Sequence, residues 1–450
     1  MTRLLDQLWR PVDIASLVAF RVAFGALALC AVLRHVAYGW VDQFFITPHV
    51  FFPYPGLAWI VPLPAAGMYA LYAGLALCAL GILTGAWTRL CAALFCIGFT
   101  YAHLIDRTNY LNHYYLVSIL SGLLAVLPSG GALSIDAWRC ADRRRVSAPA
   151  WAVFLLRFQL AVVYIFGAVA KVNADWLLHA EPLRIWLGAN VDLPLLGPWL
   201  ERTWVAYAFS YAGLLFDASI VPLLLWRRTR PLAYGAVLAF HLLTAALFPI
   251  GMFPWLMIAL TPIFFAPAWP RRVLGWIGRD VVPAGRARAS QPRARWAVAT
   301  ALALYALVQL LIPLRHFAYD GDLYWTESGF RWSWQIMVME KFGRAVFTVT
   351  DPVTGGSRTV RPLEELTPLQ YRMMATQPDM LLSYAQRLRD RYAAMGDAVQ
   401  VFGDVTVTLN GRPAAPLVDP AVDLAALPDS AAPSAWLLPH PDAQRQVAVR

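Results

Sequence analysis

The chain is almost without lysine. Its basic residues number 37, of which only Lys171 and Lys341 are lysines, so the remaining 35 are arginines. Charged residues of all kinds make up only 14 % of the 450 residues, against about 25 % in soluble domains. Hydrophobic residues reach 59 %, and mean hydropathy is +0.53. This composition excludes an ordinary soluble protein and predicts an integral membrane protein.

Several motifs that would indicate other chemistry are also missing. The chain has no GxGxxG, P-loop, HExxH or GxSxG sequence. No basic segment with interleaved aromatic residues supports a nucleic-acid partner, and the N-terminus lacks the pattern of a removable signal peptide. The cysteines contain no Cys-x-x-Cys pair and predict neither a disulfide framework nor a metal site. They are Cys30, Cys78, Cys91, Cys96 and Cys140.

Nine apolar segments approach the length of about 20 residues that a helix needs to cross a bilayer. They fall near 14–37, 66–86, 89–105, 114–128, 151–172, 204–226, 231–248, 251–267 and 296–314. We therefore predict an all-α polytopic membrane bundle of about nine transmembrane helices in residues 1–315. The segments 38–65 and 173–203 are expected to lie in the outer interface, with WLLHAEPLRIWLGA (176–189) in the second forming an amphipathic or re-entrant helix.

The arginines predict the orientation. If nine spans alternate, the arginines that precede the first span and follow the second, fourth, sixth and eighth spans all lie on one side. The positive-inside rule makes this side the cytoplasm, with the N-terminus inside and the C-terminal region outside. An Arg-rich, Lys-poor composition is typical of GC-rich bacteria. The expected location is thus a bacterial cytoplasmic membrane.

Residues 316–450 are predicted to form a small α+β extracytoplasmic domain with an irregular tail. RWSWQIMVME alternates in hydrophobicity and predicts a strand, and residues 345–362 predict a hairpin. Thr367 and Gln370 form a capping box around Pro368, so a helix should begin there, restart near 377–379 and end at Gly396. Residues 399–413 predict one long strand or a strand pair.

Lys171 is the first candidate for chemistry. It stands near the outer end of the fifth segment, in VYIFGAVAKVNADW. A buried ammonium can lose its proton, whereas a guanidinium keeps its charge. Ionisable residues inside membranes are commonly functional. Lys171 is therefore a catalytic candidate, and the alternative is a lysine that extends to the lipid headgroups.

Two histidines and an asparagine are expected to converge with Lys171 in the outer half of the membrane. Asn112 and His113, in TNYLNHYYL, begin the fourth segment, and His241 lies near the middle of the seventh. The alternatives are a hydrogen-bonded interfacial histidine for His113 and a histidine that bridges two helices for His241.

Three charged residues inside the spans are interpreted separately. We expect Arg21 and Arg157 to be structural, each paired internally or extended to the interface. Asp217, in GLLFDASIVPLL, is expected to pair with an arginine, although a role in a proton path remains open.

Seven pieces of the chain, in order, resemble the vitamin K-dependent gamma-carboxylase family, in its bacterial branch of horizontally transferred transmembrane (HTTM) domain proteins. They are TNYLNHYYL, VYIFGAVAKVNADW, FDASIVPLLL, FHLLTAALFPIGMFPWLMIA, FRWSWQIMVME, TDPVTG and LVDPAVDLA. The resemblance implies an enzyme that oxidises a reduced naphthoquinone, vitamin K or a menaquinol, with O₂ to its epoxide. The strong base so formed removes a γ proton from a peptide glutamate, and CO₂ adds.

The resemblance also implies roles for residues. Lys171 matches the family's catalytic lysine, and His113 with Asn112 matches an active-site motif that would hold the quinone oxygen. His241 matches a further family histidine in FHLL. In the stretch WSWQIMV, Trp334 and Met337 are candidate quinone-binding residues, with Met337 as a lid. The implied partners are membrane lipid, quinol and a glutamate-containing peptide or protein, with no metal.

Two other functions remain open. One is a quinol monooxygenase that forms the epoxide without carboxylation. The other is a non-enzymatic membrane binding or transport protein on the same fold, which predicts that Lys171→Arg keeps its function. No inverted repeat of broken helices favours transport.

Overall fold

The structure, a computed structural model, describes residues 2–276, 295–429 and 432–440. Within these residues the helices are α1 (Thr2–Trp9), α2 (Ala15–Ala37), α3 (Ala65–Thr84), α4 (Thr88–Leu104), α5 (Asn112–Val126), α6 (Ile135–Arg139), α7 (Ala150–Ala170), α8 (Ala174–Leu178), α9 (Leu183–Gly188), α10 (Gly197–Leu200), α11 (Thr203–Leu225), α12 (Arg230–Leu247), α13 (Phe253–Leu260), α14 (Trp269–Trp276), α15 (Arg295–Leu314), α16 (Leu323–Thr326), α17 (Pro368–Met374) and α18 (Pro378–Ala393). The strands are β1 (Pro11–Asp13), β2 (Ser147–Pro149), β3 (Lys341–Thr350), β4 (Ser357–Val360), β5 (Gln400–Leu409) and β6 (Ala415–Pro416).

Most of the chain is helical, and six helices of the described residues are long and apolar enough to cross a membrane. They are α2, α3, α7, α11, α12 and α15 with the turn that continues it to Ala318. A seventh span exists if α13 and its following turn are joined to α14 across a bend of 98°. The helices α4 and α5 are apolar but have only 17 and 15 residues. At 1.5 Å per residue each is shorter than the roughly 30 Å hydrocarbon layer. The predicted count of nine spans is therefore not confirmed.

The helix α7 lies at the centre of the bundle. In its most apolar stretch 67 % of the residues are buried, against 11 % in the span that begins at Arg295. Leu156, Leu160 and Val163 on α7 belong to the main apolar core. A helix that is apolar on all sides is typical of such a buried position. The end of α7 is thereby fixed by the surrounding helices.

One end of the bundle gathers the arginine-rich loops, and we call it the cationic end. The strands β1 and β2 pair antiparallel there, with Val12 opposite Ala148, so α2 and α7 start side by side. Arg271 Nε donates to Asp13 Oδ2 at 2.6 Å, which brings α14 to the same end. The turn between α3 and α4 is also here, because Trp87 N donates to Asp136 Oδ1 at 2.8 Å.

Arg21 and Arg157 have structural partners, in agreement with their interpretation from the sequence. Arg21 is buried, and its Nη1 donates to the carbonyl oxygen of Ser129 at 3.2 Å. Arg157 donates to the carbonyl oxygens of Ile263 and Phe265, both at 2.8 Å. These arginines satisfy carbonyl groups that helix ends leave without partners.

The C-terminal region is built on an antiparallel sheet in the order β4-β3-β5-β6. Alternate residues of β3 and β5 point into one core, where Phe347 lies opposite Gly403 and packs on Tyr384 of α18. The predicted hairpin is confirmed as β3 and β4, and residues 400–409 form one long strand. The capping box of Thr367 and Gln370 is confirmed at the start of α17.

The predicted strand RWSWQIMVME is wrong. Residues 331–340 form turns and extended segments outside any strand. Trp332, Trp334 and Met337 have φ angles of 62°, 55° and 54°. This left-handed backbone costs roughly 1–3 kcal/mol at a bulky residue and prevents a regular strand. Trp334 and Ile336 pack in the main apolar core of the bundle, whereas Val338 belongs to the core of the sheet region. Residues 176–189, predicted as one amphipathic or re-entrant helix, instead contain the end of α8 and all of α9, which are separated by residues 179–182.

Ion pairs attach the sheet region to the loops at the end of the bundle opposite the cationic end. We call this end the sheet end. Asp379 of α18 accepts from Arg107 Nη1 at 2.7 Å and from Arg331 Nη1 at 2.6 Å. Beside it, Gln370 Nε2 donates to Asp106 Oδ2 at 2.9 Å and to the carbonyl oxygen of Val50 at 2.6 Å. Burial acts to raise the pKa of Asp379, but the two guanidinium groups outweigh it and lower this pKa to about 2.

Asp379→Asn is expected to loosen this contact. The side chain of Arg107 is only 3 % exposed and would lose its anionic partner. Because Asp379 is itself 41 % exposed, we expect a loss of about 1–3 kcal/mol, less than for a fully buried pair. Thermal unfolding and limited proteolysis between the bundle and the sheet measure it. Asp390→Asn, on the exposed face of the same helix, is the control and should have no effect.

The same contact predicts a pH dependence. An Asp carboxyl has a pKa near 3.9 in an unfolded chain, and the pKa of Asp379 in the folded protein is about 2. Its stabilisation is therefore complete above about pH 4 and is lost as the pH falls towards 2. Proteolysis at the contact that is equally fast at pH 6 and pH 3 would contradict this pairing.

Candidate functional site

Lys171 stands where α7 ends, and its side chain turns back into the bundle. Asn173 caps α8, since its Oδ1 accepts from Trp176 N at 2.9 Å, so the chain changes direction just after the lysine. Lys171 is 5 % exposed, and its Nζ donates to the carbonyl oxygen of Gly167 at 3.1 Å. A lysine that extended to the lipid headgroups would point the other way. The structure thus places the ammonium inside the protein.

Asp217 of α11 is the ionic partner of this lysine. Lys171 Nζ lies 2.8 Å from Asp217 Oδ2, and both side chains are at most 10 % exposed. Gly167 leaves room for the carboxylate, because a Cβ at this position would lie only 3.2 Å from Asp217 Oδ2. The prediction that Asp217 pairs with an arginine is wrong, because the intramembrane arginines Arg21 and Arg157 are bound to backbone carbonyls.

An aromatic side chain closes another side of the lysine. Lys171 Nζ lies 5.2 Å from the centroid of the Trp176 ring, within the range of a cation–π contact. Trp176 Nε1 donates to the carbonyl oxygen of Ser210 at 2.8 Å, which fixes the ring on α11. The lysine is therefore held by a carboxylate, a carbonyl and an aromatic face.

The segment after Lys171 is anchored to the sheet region. Asp175 Oδ2 accepts from Asn410 Nδ2 and from Arg412 Nη1, each at 2.7 Å. Burial acts to raise the pKa of Asp175, and the bonds from Arg412 and Asn410 bring it below its usual value. Tyr324 OH donates to the carbonyl oxygen of Ala170 at 2.9 Å. The position of the lysine thus depends on contacts with the C-terminal region.

Lys171 and Asp217 line a cavity of about 70 Å³ together with His241 and Met337. His241 Nε2 lies 3.2 Å from Tyr164 OH, and its buried Nδ1 has no hydrogen-bond partner among the described residues. The remaining lining is mostly apolar and includes Val163, Leu183, Phe209, Phe240, Phe248 and Ile336. The cavity has room for a few water molecules, and it joins a polar corner to an apolar wall.

His113 lies in a second cavity of about 40 Å³, beside Arg34, His35 and Tyr114. Phe253 stands between the two cavities, with its ring centroid 6.4 Å from that of His113 and 6.0 Å from that of His241. The four expected residues are thus not all brought together. Lys171 and His241 share one cavity with Met337, while His113 belongs to the neighbouring one.

Asn112 and Trp334 do not line either of these two cavities. Asn112 accepts from Tyr110 OH at 3.0 Å, and its Nδ2 donates to the carbonyl oxygen of Gln335 at 3.1 Å. Trp334 is fully buried and packs 5.1 Å from the ring of Tyr115. Both residues hold the segment that carries Met337 against the bundle.

Two residues near His113, Arg34 and Phe253, were not predicted from the sequence. A Cβ at Gly251 would lie 3.7 Å from both Arg34 Nη2 and His113 Nε2, which shows that the guanidinium and the imidazole flank the same glycine. An arginine followed by a histidine near the end of the first span was the available signal for Arg34. Phe253 carried no such signal, since aromatic residues are common throughout the chain.

Among the described residues, no three His, Cys, Asp or Glu side chains lie close enough together to hold a metal ion. The polar groups of the Lys171 cavity include an amine, a carboxylate and an imidazole, together with the hydroxyl groups of Tyr164 and Thr244. These groups suit proton transfer inside an apolar enclosure.

Two family models match the chain. The model described as HTTM domain matches residues 9–269, and the model described as vitamin K-dependent gamma-carboxylase, lumenal domain, matches residues 294–443. No solved structure matches the chain. The first match covers the helices α2 to α13 with most of the lining of the Lys171 cavity, and the second covers α15, the sheet region and the lining residues Ile336 and Met337. The chain therefore belongs to the gamma-carboxylase family of proteins with an HTTM domain.

Proposed function

We propose that the protein is a membrane-embedded gamma-glutamyl carboxylase that depends on a reduced naphthoquinone, O₂ and CO₂. The observation that carries the proposal is the buried pair of Lys171 and Asp217 at the wall of an apolar cavity. A chain that uses arginine almost everywhere places a lysine at this point, and of these two basic side chains only the amine of lysine can act as a neutral base. Family membership supports the same chemistry.

Lys171 is assigned the role of base towards a phenolic hydroxyl. To accept a proton, the amine must first be neutral, and Asp217 Oδ2 at 2.8 Å is the group that can take its proton. The amine can then receive the hydroxyl proton of the quinol. A bound quinol supplies, through its oxidation by O₂, the strong base that removal of a glutamate γ proton requires.

The residues of the cavity fit such a ligand. The two fused rings of a reduced naphthoquinone suit the apolar wall of the cavity. The unpartnered Nδ1 of buried His241 offers a hydrogen bond to an oxygen of this ligand. The space is smaller than a two-ring quinone, so a side chain has to move when the ligand binds. Met337, flexible and unbranched, is the lining residue best suited to move. Phe253 is a second candidate, and its movement would join the His113 cavity to the Lys171 cavity.

The proposed orientation places the cationic end in the cytoplasm, since cytoplasmic loops carry an excess of arginine. The sheet region is then extracytoplasmic, in a bacterial cytoplasmic membrane, with residues 316–450 as its domain. A glutamate-containing peptide would reach the Lys171 cavity from this side. The segment 331–340 runs from the sheet region to the cavity, and such a peptide would contact this segment first.

Two products measured on one sample test the proposal. The purified protein is given a reduced naphthoquinone, O₂, carbon-14 bicarbonate and a glutamate-containing peptide. We expect both quinone epoxide and labelled peptide. Epoxide with no labelled peptide, for several peptides, would replace the proposal by the monooxygenase function. Neither product from protein that binds the quinol would leave a binding or transport protein.

Met337→Ala is expected to weaken binding of the quinol. Removal of a flexible wall should raise the KM for quinol roughly 3- to 10-fold, about 1 kcal/mol of lost contact, with little change in kcat. Steady-state rates of epoxide formation measure both constants. Met339→Ala, two residues further and outside the cavity lining, is the matched control. An unchanged KM in Met337→Ala would remove Met337 from the quinol site.

A further inference from the structure

A cleft of about 570 Å³ opens at the cationic end, on the opposite side of the bundle from Lys171. Its walls come from the turn between α3 and α4, from the loop after α5, and from residues 136–145. Asp136 ties these walls together, since it accepts from Trp87 N at 2.8 Å and from Thr88 N at 2.9 Å. The shape of the cleft is therefore set by hydrogen bonds between its walls.

The cleft is basic. Arg89, Arg143 and Arg145 line it, against the carboxylates of Asp136 and Asp142. Asp136 is occupied by the two backbone amides, with Arg143 Nη1 at 3.9 Å from its Oδ1. A further cation stands at the rim, where the guanidinium of Arg139 lies 5.0 Å from the centroid of the Trp87 ring. The lining carries a net positive charge before this arginine is counted.

An apolar stripe leads away from the cleft along α4. Trp87 at the mouth is 57 % exposed, and Leu90, Leu94 and Ile97 are 57 %, 49 % and 67 % exposed. Their spacing of three and four residues places them on one face of the helix. This face starts at the basic cleft and continues into the depth of the membrane. The stripe therefore offers a surface for acyl chains, and the basic cleft next to it offers a surface for an anionic group.

We propose that the cleft binds the headgroup of an anionic phospholipid, with its acyl chains along the stripe on α4. Arginines bind phosphate oxygens through paired hydrogen bonds, and basic pockets between helices at this depth suit anionic headgroups. Tryptophan is the residue that favours the boundary between headgroups and acyl chains. A soluble phosphate would use the arginines but would gain nothing from the stripe.

Native mass spectrometry of the full chain in detergent, titrated with phosphatidylglycerol or phosphatidylcholine, tests the proposal. We expect one phosphatidylglycerol to bind at least ten-fold more tightly than phosphatidylcholine. Arg89→Gln with Arg143→Gln should remove this preference, whereas the lysine versions of both substitutions should keep most of it. The control is Arg227→Gln with Arg228→Gln, two exposed arginines beside exposed Trp226 at the same end of the bundle.

A second variant separates lipid from free anion. Ile97→Asn on the stripe should weaken phosphatidylglycerol at least several-fold. Equal binding of phosphatidylglycerol by the wild type and by the double glutamine variant would overturn the proposal. So would displacement of the bound lipid by an equal concentration of inorganic phosphate, because that result would describe a site for a small anion. The lysine variant shows whether a loss in the glutamine variant reflects charge or misfolding.

Discussion

Lys171→Arg is expected to abolish carboxylation of a glutamate peptide while the protein remains folded. An arginine keeps a cation beside Asp217, but its guanidinium stays protonated and cannot act as a base. Loss of a general base typically costs 10²–10⁴-fold in rate, and we expect a fall of at least about 10³-fold. The initial rate of carbon-14 incorporation measures it, with epoxide formation followed in the same sample.

The other lysine provides a matched control. Lys341 Nζ pairs with Glu327 Oε1 at 3.0 Å in the sheet region, outside the Lys171 cavity. Lys341→Arg keeps that cation and should retain the wild-type rate. Thermal unfolding of both variants shows whether either is misfolded. A folded Lys171→Arg protein that carboxylates at the wild-type rate would contradict the role of base and favour a function that needs only a cation.

Asp217→Asn is expected to lower kcat about 10- to 100-fold with little change in the KM for quinol. Asparagine has the shape of aspartate and can still contact Lys171, but it cannot take a proton. The separation of kcat from KM distinguishes this role from a structural one, because a displaced lysine side chain would also disturb the cavity wall and change the KM for quinol.

Asp175→Asn is the matched control for this change. Asp175 is a second carboxylate close in sequence to Lys171, but its bonds go to Asn410 and Arg412 of the sheet region, and the ionic partner of the lysine is Asp217. We expect Asp175→Asn to lower thermal stability and to lower kcat less than Asp217→Asn does. An Asp217→Asn protein with the wild-type kcat would show that Asp217 only positions the lysine.

Hydrophobic length and local capping were the strongest signals in the sequence. Each of the nine apolar segments corresponds to a helical part of the structure, because a membrane leaves few alternatives to a helix for an apolar segment. Whether a segment is long enough to span was harder to predict: α4 and α5 have the 17 and 15 residues of their predicted segments, which is short for a span, and α13 is followed by a bend. The capping box at Thr367 was predictable because it depends on neighbours three residues apart.

Pairing across the fold could not be predicted in the same way. The pairing of Asp217 with Lys171 depends on how α7 and α11 pack, with Gly167 leaving room for the carboxylate, and no single segment reveals this. The segment around Trp334 alternates like a strand, yet its backbone is set by contacts with Asn112 and Tyr115 far away in the chain. His113 was expected beside Lys171 from its depth in the membrane and from the family resemblance, and neither specifies that Phe253 lies between the two cavities.

Nitrogen-15 NMR of lysine-labelled protein tests most directly whether Lys171 meets the quinol. A chain with two lysines gives two side-chain signals, and Lys341→Arg assigns them. A reduced naphthoquinone is added without O₂, so that no turnover occurs. We predict that the Lys171 signal shifts on saturation while the Lys341 signal stays in place. A Lys171 signal that does not move, in a sample where the quinol is shown to bind, would place the quinol elsewhere and contradict its role as the base.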